Sequence, residues 1–322
     1  MEMLEFYLKS QAHKVISRDL SLDMLSHAYI LECPDEVITK AYSILMAKEI
    51  YCEGEGDKPC CACNYCNKIE HDNMVDLKIY PKEKNIVVDD ILEIVGDSLE
   101  RPMDSNYKVY ILHDFDLATT QAQNKILKTL EEPPKGVIFI LTCSSSNAVL
   151  QTILSRVKRI SEPVLSISDV TQYLASTGVK NSDKVACVSG GNLSTANRVS
   201  GMSDVGDVIS LAIDILLNLR SSSDILKYSS KIVALKKDFP LLIDTMISIL
   251  RDVCAVGSVG VNFVGYEKYL SAIKAIISPN ACVDIVSNLC EIYNKLDFNC
   301  NIVGVVDKML LDILEVKFLC QK

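Results

Sequence analysis

Cys52, Cys60, Cys63 and Cys66 stand in the pattern C-x7-C-x2-C-x2-C, with Cys61 as an extra thiol. Thiolates at x2 spacing can face one ion from a tight turn, and four of them complete a tetrahedral shell about 2.3 Å from zinc. Gly54, Gly56 and Pro59 suit the turns between ligands. Four protein ligands leave no open coordination position, so the expected cofactor is a structural zinc ion rather than a catalytic one. The alternatives are an iron–sulfur cluster, for which the Cys-Pro of a ferredoxin-type run is missing, and unligated thiols. His71, beyond Cys66, reads as a surface residue rather than a ligand.

A second stretch occupies the place of a phosphate-binding loop. A working loop reads G-x-x-x-x-G-K-[ST], because bare glycine amides must approach the phosphates and a lysine must reach them. Here Cys33 and Ile38 stand at the glycine positions, Thr39 at the lysine position, and Lys40 comes one residue late. Asp35 and Glu36 would set carboxylates beside phosphate. The other half of a nucleotide site would be an acidic residue ending the strand 107–112. The magnesium-ligand position carries His113, and Asp114 takes the place of the catalytic glutamate. These losses predict a plain strand–turn–helix that binds no ATP. Asp114 and Asp116 are expected to cap the helix that follows, and His113 to be a core or edge histidine.

Ser155-Arg156 precedes a short strand. The plain reading is a surface arginine in a local ion pair. The sharper one is an arginine offered in trans to phosphate in a neighbouring subunit, for which a planar fork of donors is suited.

The elements that must position these residues alternate. Strand-like runs at 28–31, 76–80, 107–112 and 136–142 are separated by helical patterns at 38–50, 87–99 and 117–131, the last stopped by Pro133-Pro134. Strands alternating with helices imply a parallel α/β sheet. After about residue 163 the pattern becomes helical, with Gly/Ser/Pro breaks near 200–206, 221–223, 256–260 and 278–280.

Composition narrows the function classes. The 322 residues carry 33 basic and 42 acidic side chains, a formal net charge of −9, which argues against a general duplex-DNA coat. Trp is absent and aromatics make up 6%, which disfavours single-strand binding by base stacking. Thirteen cysteines, an odd number, behind an acidic start (Met1-Glu2-Met3-Leu4-Glu5) point to reduced thiols and metal ligands in the cytoplasm. No apolar run approaches the ~18 residues of a membrane span.

The segment Gln121 to Pro134 (QAQNKILKTLEEPP) resembles the A-x-N-x-x-L-K-x-x-E-E-P-P signature of DNA polymerase III clamp-loader subunits. Ser26-His27-Ala28-Tyr29 resembles their entry into the first strand, and the four cysteines their zinc module. Ser155-Arg156 sits at their Ser-Arg-Cys finger motif, with Val157 replacing the cysteine. Ser189-Gly190-Gly191-Asn192 resembles their lid, with Ser194 and Thr195 near the place of a lid arginine. The resemblance covers about 26–200.

It implies an AAA+ parallel-sheet domain at 1–163 with a zinc insert at 52–66, a helical lid at 164–203 and a C-terminal helical collar at 204–322. The degenerate loop points to the non-hydrolysing branch of the family, which binds no ATP itself. Such a chain would join gamma/tau and delta subunits in a five-membered ring that places the β sliding clamp on primed DNA. Arg156, backed by Ser155, would be its finger. Lys125 and Lys128 are weak candidates for DNA contact. Two alternatives remain open: an active gamma/tau-like ATPase, and a zinc-stabilised interaction module outside any clamp loader.

Overall fold

A computed structural model describes residues 3–201, 205–235, 238–255, 263, 265–295 and 301–319. The break read near 256–260 lies outside the described residues. The chain forms two compact units, residues 1–164 and 165–322.

The first unit is built as α1 (Met3–Lys9), α2 (Gln11–Ser21), β1 (Ala28–Glu32), α3 (Glu36–Tyr51), α4 (Asn64–Glu70), β2 (Leu77–Tyr80), α5 (Val88–Ser98), β3 (Lys108–Leu112), α6 (Thr120–Glu131), β4 (Val137–Cys143), α7 (Gln151–Leu154) and β5 (Lys158–Ser161). The five strands pair in the order β2-β3-β4-β1-β5, and every pair is parallel. Each residue of β3 and β4 is buried, as expected for strands covered on both faces. Because alternate residues face opposite sides, Ala28, Ile30, Tyr110, Leu112, Phe139 and Leu141 point one way. They pack in one core with Ile91 and Ile94 of α5, Ala122, Ile126 and Leu130 of α6, and Ile153 and Val157 around α7. Tyr29, Leu31, Val109, Ile111, Ile138 and Ile140 alternate with them and are buried as well.

Helix α6 begins three residues later than its apolar pattern suggests. Phe115–Leu117 is a separate 3-10 turn, and Thr119 is the cap, its hydroxyl accepting from the Ala122 N–H at 3.2 Å. The expected aspartate caps are not used: Asp116 accepts from the Ser144 N–H at 3.1 Å, and Asp114 makes no capping bond.

The second unit holds α8 (Ile167–Ser176), α9 (Ser182–Ser189), α10 (Leu193–Ser200), α11 (Val205–Asn218), α12 (Ser222–Leu235), α13 (Phe239–Ala255), α14 (Glu267–Lys274), α15 (Pro279–Lys295) and α16 (Ile302–Leu319). No strand occurs among its described residues. Helix α9 packs on α8 and α10 and also on α13, where the Ser248 hydroxyl donates to Val188 O at 3.1 Å. The Ser189-Gly190-Gly191-Asn192 turn is a pair of caps. Gly190 closes α9 at φ +60, donating to Ala186 O and Cys187 O, and Asn192 opens α10 by accepting from the Thr195 N–H at 2.8 Å. A Cβ at Gly190 would meet Arg251 Nη2 at 2.7 Å, a contact the flexible arginine can relieve, so the left-handed φ is what favours glycine there. Among the described residues no single helix is long and apolar enough to cross a membrane.

Candidate functional site

Three groups of residues carry the chemistry read from the sequence, all in the first unit. The cysteine insert is one. Cys52 closes α3, Cys63 starts α4 and Cys66 is buried within α4. The Sγ atoms of Cys52, Cys60, Cys63 and Cys66 lie within 4.8 Å of one another. Backbone N–H groups already point at two of these sulfurs: Cys60 N–H donates to Cys52 Sγ and Cys63 N–H to Cys60 Sγ, both at 3.3 Å. Gly54 is packed so closely that a Cβ there would lie 2.5 Å from Cys60 Sγ. The fifth thiol, Cys61, is exposed and outside the cluster. His71 caps α4, its Nδ1 at 2.8 Å from Asn67 O, and is not among the clustered ligands. Four soft donors around one point fit a tetrahedral thiophilic metal.

The insert is tied to the sheet through Tyr51 and to the loop before β3 through Tyr65. Tyr51 OH donates to Asp76 O at 2.7 Å and accepts from the Val109 N–H at 3.1 Å. Tyr65 OH donates to Asp104 O at 2.7 Å.

The second group lies at the carboxyl edge of the parallel sheet, where open α/β folds place their ligands. Cys33 N–H donates to Cys143 O at 3.0 Å, and Asp114 N–H to Thr142 Oγ1 at 3.1 Å, so the ends of β1, β3 and β4 meet here. The turn into α3 carries its own cap. Fully buried Asp35 caps the helix, its carboxylate accepting from the Val37 N–H at 3.0 Å. It thus uses a helix-terminal donor that a phosphate would need. Ile38 and Thr39 are buried, Thr39 donating its hydroxyl to Glu36 O at 3.1 Å. No residue from 33 to 40 has a positive φ. A phosphate ~4 Å from the Asp35 carboxylate would meet a repulsion of about 4 kcal/mol per unit charge at an effective dielectric near 20.

Lys40 is also engaged. It pairs with Glu36, one turn back, and lies 3.8 Å from Asp114. The Glu36 hydrogen bond holds the Lys40 ammonium above its ordinary range. Burial pushes the Asp114 carboxyl up. His113 is buried, its Nδ1 has no partner, and burial together with the Lys40 charge pulls it down to about 4. It is a neutral core histidine.

The third group is the α6–α7 corner. Arg156 follows Ser155, the C-cap of α7. Its Nη1 donates to Thr152 O at 2.6 Å and Ser155 Oγ at 3.1 Å, and its Nη2 lies 2.7 Å from Glu131 Oε1 at the end of α6. The guanidinium therefore makes the local ion pair of the plainer reading, and its Nε–H has no hydrogen-bond partner among the described residues. The corner is braced from below by buried Gln123. Its Nε2 donates to Ala118 O and Ala148 O at 3.2 and 3.1 Å, and its Oε1 accepts from the Leu150 N–H at 2.9 Å. Sequence reasoning missed both partners. Glu131 lay in plain view in the E-E-P-P motif, and a glutamine on the apolar stripe of α6 was the signal for Gln123. Lys125 and Lys128 are exposed on α6.

Comparisons with known proteins agree on one relationship. The sequence model of a family described as DNA polymerase III, delta subunit, matches residues 8–165. DNA polymerase III subunit gamma of Buchnera aphidicola is 32% identical over 162 residues, covering 50% of this chain and 45% of that protein. DNA polymerase III subunit delta' of Bacillus subtilis is 31% identical over 150 residues, 46% of each chain. This chain thus spans less than half the length of both relatives. A DNA polymerase III, gamma subunit-related protein from Thermotoga maritima superposes with a TM-score of 0.46 at 18% identity, over 95% of this chain and 98% of that one.

Proposed function

We propose that this chain, whose residues 8–165 match the DNA polymerase III, delta subunit family, is the non-hydrolysing, delta-prime-type member of a clamp-loader ring. In this reading 1–163 is the AAA+ module, 164–203 the lid and 204–322 the collar that joins gamma/tau and delta subunits in the cytoplasm. The ring uses ATP to place the β sliding clamp on primed DNA, and this chain contributes geometry and Arg156 rather than turnover. Direct DNA contact, through Lys125 and Lys128, is a minor share.

The observation that carries the non-hydrolysing role is the capped turn at 33–40. Asp35 occupies a helix-terminal amide, and Lys40 is paired to Glu36 and Asp114. One donor of a phosphate cradle is thus taken, and the lysine is engaged by two carboxylates. Arg156, in contrast, keeps its Nε–H for an external anion. In a neighbour's site it would stabilise the charge that spreads over the transferring phosphoryl group, a contribution worth ~10³–10⁵ in rate for such fingers. The four cysteines would hold structural zinc, which when bound fixes the end of α3 to the start of α4.

A calorimetric titration of the isolated chain with Mg·ATP tests the reading. The expected result is no saturable heat at millimolar nucleotide. Stoichiometric binding would overturn it and favour the gamma/tau-like ATPase.

A further inference from the structure

We propose that Glu131 is a positioning residue for Arg156, holding its guanidinium in the orientation from which it meets a neighbour's phosphate. The inference rests on the reading of Arg156 as a finger offered in trans.

Glu131 is the last residue of α6 and is followed by Glu132 and Pro133-Pro134. A helix C-terminus carries partial negative charge and favours cations, so a carboxylate in the last turn works against the helix it belongs to. It is placed there for something outside the helix, and the structure shows what it reaches: Arg156 Nη2 at 2.7 Å, across 25 residues of chain. Both side chains are substantially exposed, at 32% and 47%, and exposed pairs add little to stability.

What the pair does supply is direction. An unsupported arginine samples many rotamers. Here the Thr152 carbonyl and the Ser155 hydroxyl accept from Nη1 while the Glu131 carboxylate lies 2.7 Å from Nη2, so the fork is met from two sides. The platform beneath it is rigid. Gln123 joins α6 to the residues entering α7, and Leu130 and Val157, neighbours of the paired residues in sequence, are buried in one core. A group placed in this way presents its Nε–H already oriented. A misplaced group can cost up to about 10²-fold in rate.

The test compares wild type, Glu131→Ala, Glu131→Gln, Arg156→Ala and the double Glu131→Ala/Arg156→Ala in a reconstituted ring with gamma/tau, delta, clamp and primed DNA. Ring assembly is checked by size exclusion, and kcat and KM for ATP are read separately. Glu131→Ala is expected to lower kcat about 10-fold with KM unchanged. Glu131→Gln keeps an acceptor oxygen and is expected to retain most of the activity, and the double variant to equal Arg156→Ala. If Arg156→Ala loses the stimulation and Glu131→Ala does not, the finger reading stands and the positioning role fails. If Arg156→Ala stimulates like wild type, the finger reading falls and this inference with it. Equal losses in Glu131→Ala and Glu131→Gln, with KM raised, would mark a structural defect and overturn the proposal.

Discussion

Arg156 Nη2 and Glu131 Oε1 lie 2.7 Å apart, joining the second residue after α7 to the last residue of α6. The pair ties the Ser-Arg dipeptide to the E-E-P-P motif, two features that in sequence are separate. Because the pair is exposed, its stability contribution falls in the ~0–1 kcal/mol range of surface ion pairs. Glu131→Ala is therefore expected to change the unfolding free energy by less than about 1 kcal/mol. A denaturant titration checks this, and a larger loss would make the pair a structural strut.

The cysteine cluster predicts one zinc per chain by elemental analysis. Cys60→Ser and Cys63→Ser should each lose it, and Gly54→Ala should weaken it because the added Cβ meets Cys60 Sγ at 2.5 Å. Chelation should lower the melting temperature by ~5 °C or more, since 1 kcal/mol shifts a domain of this size by about 2–4 °C. A visible charge-transfer absorption with bound iron would contradict the zinc assignment.

Gly190→Ala should cost about 1 kcal/mol, the penalty for an L-residue in the left-handed region. The Arg251 side chain that meets the new Cβ can swing away at its far end, so the backbone, at φ +60, sets the cost. A melting temperature equal to wild type would show that the turn relaxes.

His113 predicts a pH dependence. Its folded-state value is pulled down to about 4 by burial, below the ordinary histidine range near 6.5. The unfolded chain therefore binds the proton first. The stability that neutral His113 contributes is present above about pH 6.5 and is lost as pH falls toward 4, up to an amount on the order of 3 kcal/mol. Asp114 shifts upward and opposes the trend, so the measurement is a difference. Between pH 7 and 4.5, His113→Gln should lose less stability than wild type, and parallel profiles would contradict the burial account.

Much of this was legible in the residues. Continuous apolar runs gave away β1, β3 and β4 because strands covered on both faces need no polar alternation. Spacing alone separated Cys61 from the four clustered thiols. Helices α1 and α2 were not read, although Phe6, Tyr7, Ala12 and Ile16 bury one side of them. The aspartates before α6 looked like caps, yet a left-handed turn at Asp114 and the reach of Asp116 to Ser144 left the capping to Thr119. Contacts such as Glu131–Arg156 and Gln123–Leu150 join elements 25 and 27 residues apart in sequence, and no local pattern encodes them.

The most direct test of the account is ATP hydrolysis by a ring reconstituted from gamma/tau, delta, clamp, primed DNA and this chain, with wild type set against Arg156→Ala. The account predicts that both chains assemble, that wild type stimulates turnover, and that Arg156→Ala loses most of that stimulation. A variant that assembles and stimulates as well as wild type would contradict it.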